Sequence, residues 1–178
     1  MSVLTLQQAQ THLNMGAQHA TELQSFIDAA EAAIAKRCGP LASTATTVRV
    51  DGGGFALTLP TTPALSLTSV TPADGTALTL TDLYLNTGAG VVTYNSGITF
   101  TARFYDVVYN AGRATVPDDL LMAIKELVRH MWQTQRGPTR RPGSQPSEAT
   151  ANTVPGAAYM LPFRVSELIA PHLQHGFA

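Results

Sequence analysis

Few side chains of this 178-residue chain are spaced for chemistry. His172 and His175 stand three apart, so two imidazoles on one helical turn could share a metal ion. No acidic or sulfur ligand adjoins them, and Pro171 disturbs the turn, so they read as exposed tail residues. Asp118-Asp119 resembles a catalytic acid pair, but adjacent side chains on a helix point about 100° apart. At a helix start their charge already complements the positive end of the macrodipole. Gly52-Gly53-Gly54 lacks the Lys and Ser/Thr of a phosphate loop, and no helical pattern follows to aim amides at an anion. A hairpin turn is the better reading. His130, between Arg129 and the core residue Met131, reads as a partly exposed helix position. Cys38 is the only cysteine, which excludes an intrachain disulfide and a cysteine-based zinc site. There is no Gly-x-Ser-x-Gly elbow. The expectation is a protein with no catalytic, metal or cofactor-binding residues, and not an enzyme.

Arg136, Arg140 and Arg141 leave two readings open. They are either a solvated linker or contacts to DNA phosphates or to acidic groups on a partner. Base-specific readout is not expected, because no helix presents polar base-reading residues. Net charge is −1, so the whole molecule is not drawn to DNA or to a membrane surface. The distribution is uneven. Met1 to Gly112 carries four basic and seven acidic residues, and Arg113 to Ala178 seven and five. Only 13% of residues are charged, about half the usual share, while 44% are hydrophobic. A surface so neutral suits a protein that faces other proteins, although a Thr-rich β protein would share it. The start MSVLTLQQAQ lacks a signal-peptide pattern and no run has the length to span a bilayer, which predicts cytosol-like conditions and no membrane partner.

The elements that would position these groups are legible from periodicity. Thr5 and Gln8 have capping-box spacing and begin a helix over about 5–14, ended by Gly16. Thr21 and Gln24 repeat that spacing ahead of a second helix, 21–38, with Leu23, Phe26, Ile27, Ala30 and Ile34 on one face and Gly39-Pro40 as its stop. From about 45 to 112 the period becomes two, as in Val48/Val50, Phe55/Leu57/Leu59 and Leu83/Leu85, with turns at Asp51–Gly54, Asp74-Gly75, Asn86–Gly90 and Asn95–Gly97. That predicts an antiparallel β region of five to seven strands. Pro117 suits the first position of a third helix, 117–135, striped by Leu120, Leu121, Ile124, Leu127, Val128, Met131 and Trp132. Residues 138–155 read as an extended linker. A short apolar helix with Val165, Leu168 and Ile169 follows. The fold class is therefore α+β: two N-terminal helices and a long third helix, an antiparallel β insertion, and a C-terminal docking arm. The domain reading is 1–136, then 137–178 as linker and docking segment.

Three stretches together resemble one family. Leu4–Ala9 with Glu22–Glu31 is similar to the paired N-terminal helices of siphophage head–tail connector (adaptor) proteins. Val108–Gly112 leading to Val116–Leu120 and Ala123–Val128 resembles their last strand and long helix. Tyr159–Phe163 with Val165–Pro171 looks like their docking segment, and Leu59–Val70 with Asp74-Gly75 fits members carrying a β insertion. Simple members are mainly helical, with a short connection between the second and third helices, so the role of the β region does not follow from the resemblance. The resemblance implies a ring, usually dodecameric, between the portal and the stopper or tail-completion proteins, in the neck of a virion assembled in host cytoplasm, with DNA passing through. It makes Tyr159, Leu161, Phe163, Leu168 and Ile169 the expected anchors on portal or neighbouring subunit. The alternatives are another neck or tail-completion protein, or a β-rich ligand-binding module, which would need exposed aromatics.

Overall fold

The structure, a computed structural model, describes residues 2–136 and 161–174. It is α+β and divides into two compact units: Ser2–Ile34 with Pro117–Leu173, and Ala35–Val116 with Gln174. The division falls inside the second helix.

The first unit is helical. α1, Leu6–Leu13, opens with the expected capping box: Thr5 Oγ1 accepts from the Gln8 amide and the Gln8 side chain from the Thr5 amide. Its end differs from the expectation. Asn14, at φ 54°, supplies the left-handed cap two residues before Gly16, a conformation that Asn tolerates by bonding locally. α2, Ala20–Cys38, is led in by a 3₁₀ turn at Ala17–His19. Thr21 therefore lies inside the helix and caps nothing, while Gln24 donates to Asp28 at 2.8 Å. Leu23, Phe26, Ile27, Ala30 and Ile34 are all buried, as their spacing requires. The segment before α1 is tied to α2 by one carboxylate oxygen. Glu31 Oε1 accepts from Ser2 Oγ and from the Val3 and Leu4 amides at 2.8–2.9 Å. α3, Asp118–Arg136, starts one residue after Pro117, whose carbonyl accepts from the Leu121 amide. It buries Leu120, Ala123, Ile124, Leu127 and Val128. Trp132 meets Phe26 of α2 edge-on at 5.7 Å between ring centroids. α4, Phe163–Ile169, continues into a 3₁₀ turn, Ala170–His172.

The second unit holds six antiparallel strands in two three-stranded sheets. The first has the order β1 (Thr44–Asp51), β6 (Phe104–Ala111), β3 (Ala64–Pro72); the second has β2 (Ala56–Thr58), β5 (Val91–Tyr94), β4 (Leu83–Asn86). β6 is the central strand and alternates strictly, burying Tyr105, Val107, Tyr109 and Ala111. β1 meets it in unbroken register from Thr44↔Ala111 to Asp51↔Phe104. β3 meets it with two shifts. These bulges explain why Leu67 and Val70, three apart, break the period of two. One core fills the space between the sheets, including Leu57, Leu59, Val70, Val92 and Phe100. The two buried phenols are satisfied, Tyr109 by Thr61 and Tyr105 by the Ala102 amide.

One turn departs from expectation. β1 and β2 do not pair, so Gly52–Gly54 is not a hairpin. It runs beside Phe100–Arg103, bonded from Gly52 to Arg103, Gly53 to Phe100, and Phe100 back to Gly54. Phe55 follows in a bend and is 69% exposed rather than facing inward. Where β6 leaves the sheet, Gly112 has φ 111°, and a Cβ there would collide with the Ala42 carbonyl. Arg113 then donates to the carbonyls of Cys38 and Pro40, satisfying the end of α2.

Candidate assembly surface

The sequence pointed to the C-terminal segment as the place of contact, and its described part packs along α3. Val165 and Ile169, four apart on one face of α4, are buried. Each contributes roughly 1.5–3 kcal/mol of apolar burial. Arg164 lies 3.6 Å from Glu126, and His172 Nε2 lies 2.6 Å from Asp119 Oδ2. The first pair adds little, because Arg164 is largely solvated. The second is tighter, with the histidine side chain only 20% exposed.

Asp119 therefore does more than face the helix dipole. Burial works against its ionisation, but the bond from His172 and the Leu120 amide outweigh it and hold the carboxyl below its ordinary range. This revises the reading of His172 as a free tail residue. Its acidic partner stands 53 positions away, beyond the reach of any spacing rule. His175 lies outside the described residues. Asp118, the other half of the acid pair, is exposed. His130 is half-buried, with its Nε2 enclosed and without a hydrogen-bond partner among the described residues.

The expected anchors separate into groups. Ile169 is 1% exposed and packs within its own chain. Leu161 and Leu168 are half-buried, whereas Phe163, at the head of α4, is 78% exposed. A bare aromatic on a helix fixed from its other face is the type of group that fills a partner's pocket. Tyr159, Arg140 and Arg141 lie outside the described residues; Arg136 is the last residue of α3. On the β unit, Tyr84 and Ile98 are each 59% exposed, and Phe55 is exposed as well. The Leu83/Leu85 alternation places Tyr84 outward, whereas periodicity pairs Phe55 with the inward residues Leu57 and Leu59 and does not mark Ile98 at all. Among the described residues no three His, Cys, Asp or Glu side chains could hold a metal ion, and no helix is long and apolar enough to cross a membrane.

Fold and surface together define an α+β protein that exposes several large apolar side chains and solvated ion pairs. The chain belongs to the head completion protein family, whose model matches residues 3–155. The head–tail connector resemblance is thereby supported. No curated protein matches. Several solved chains share the fold. One is from the neck of an empty GTA particle computed with C6 symmetry, 19% identical with a TM-score of 0.65, covering 98% of this chain and 91% of that one. Another is from the virion of a native gene transfer agent (GTA) particle, 20% identical with a TM-score of 0.66, covering 98% and 91%. A third is from the neck of a native GTA particle computed with C12 symmetry, 20% identical with a TM-score of 0.64, covering 97% and 90%. At these identities the likeness is one of fold.

Proposed function

We propose that this chain is a structural subunit of the virion neck. Its copies form a head–tail connector ring between the portal and the stopper or tail-completion proteins, and DNA passes through the ring. The observation that carries the reading is the family match over residues 3–155. Chains of the same fold in GTA necks computed with C6 and C12 symmetry support a ring, and favour a dodecamer. The role is assembly rather than catalysis.

In this reading residues 1–136 are the connector domain, and 137–178 are the linker and docking segment. Phe163 leads the contact with portal or neighbour, aided by Tyr159, Leu161 and Leu168. Arg136, Arg140 and Arg141 lie near DNA or acidic partner groups, without base selectivity. The test is genetic and structural. Particles made without this protein should accumulate as heads lacking tails, and supplying it should restore joining. Normal tailed particles in its absence would contradict the role.

A further inference from the structure

The attachment of α4 to α3 is small, and the chain joining them is long. Two side chains, Val165 and Ile169, are buried in α4, and two polar contacts, Arg164–Glu126 and His172–Asp119, flank them. The direction of α4 follows from those contacts. Arg164, near its start, meets Glu126, while His172, beyond its end, meets the earlier residue Asp119. The helices therefore run antiparallel, an arrangement that ordinarily needs a connection of about 2–8 residues. Here twenty-four residues, 137–160, separate Arg136 from Leu161. A tether of that length reaches at most roughly 80 Å. Docking on the chain's own α3 does not use that reach, and it leaves Phe163 bare.

A neighbouring copy presents the same α3 surface, with the same Asp119 and Glu126, so every contact made within one chain is available between two. We infer that in the assembled ring each subunit's α4 occupies the α3 dock of the adjacent copy, so that exchanged C-terminal segments stitch the ring together. The inference rests on the ring reading above. The occupant is another copy of this chain because the dock is matched to this segment: Val165 and Ile169 for its apolar surface, Arg164 for Glu126 and His172 for Asp119. Exchange strengthens the ring without a new type of contact, since each subunit holds one neighbour while being held by the other, and the tether keeps the effective concentration high.

The experiment uses full-length chains with Cys38→Ala, so that added thiols stand alone. If that background does not assemble, Cys38, which is buried, is kept and chains without added cysteines are the control. One chain carries Glu126→Cys, a second Arg164→Cys, and a third both. Rings are assembled with the cognate portal, verified by electron microscopy, treated with a short bismaleimide and run on a denaturing gel. Exchange predicts covalent dimers from rings mixing the two single variants. It predicts a ladder of multiples from the double variant, with little internally linked monomer. Verified rings whose double variant runs as internally linked monomer, or does not link at all, overturn exchange and leave the ring reading intact. Absence of rings overturns the ring reading itself, and exchange with it.

Discussion

Asp119 shows how one side chain can serve two neighbours. Its Oδ1 accepts from the Leu120 amide and its Oδ2 faces His172. A carboxyl held below its ordinary range stabilises the fold above its unfolded pKa and loses that contribution as pH falls through the lower folded value. Wild-type protein should therefore lose stability below about pH 4, where a free Asp begins to protonate, and Asp119→Asn should flatten that acid limb in urea titrations. Because the pair is partly solvated, His172→Ala should cost only about 0.5–1 kcal/mol. Its clearer effect should be faster amide exchange across Val165–Ile169. Gly112 is the opposite case, a backbone requirement with no side-chain partner. Gly112→Ala combines a positive φ with a clash on Ala42 and should cost about 2–3 kcal/mol by denaturant unfolding. The sequence marked Asp119 as a helix-start charge and Gly112 as part of a strand-to-helix junction. It could not reveal His172 as a partner, because only the tertiary fold joins residues 53 apart.

At the scale of elements, periodicity was the most reliable guide. The buried face of α2 and the outline of α3 follow from i, i+3, i+4 spacing, and the alternation of β6 from a period of two. What escaped was termination and crossing. Asn14 stops α1 because it tolerates a left-handed conformation, and Gly52–Gly54 spans from sheet to sheet because Phe100 and Arg103 supply its hydrogen bonds. Both depend on partners that spacing does not encode. The tie before α1 is another such feature. Glu31→Gln retains the size of the side chain but weakens three charge-assisted bonds. It should speed amide exchange at Val3 and Leu4 while leaving the β unit's exchange unchanged. Equal exchange in the variant and the native chain would show that Glu31 does not hold this segment.

At the scale of the molecule, the switch from helical to strand periodicity and back made the α+β class legible. Three dispersed stretches pointed to the family that the match over residues 3–155 supports. Composition hinted at protein partners through its sparse charge, but a ring was legible only as what the resemblance implies, since neither composition nor fold states how many copies close one. Phe163 links the scales. Being solvent-exposed, Phe163→Ala should change monomer stability by less than about 0.5 kcal/mol, yet weaken association with ring or portal at least about tenfold, as loss of an anchoring aromatic does. Unchanged association would remove Phe163 from the interface. The most direct measurement is electron microscopy of the purified protein, alone and mixed with its cognate portal. The account predicts rings seated on the portal with twelve subunits. Dispersed monomers in both samples would contradict it.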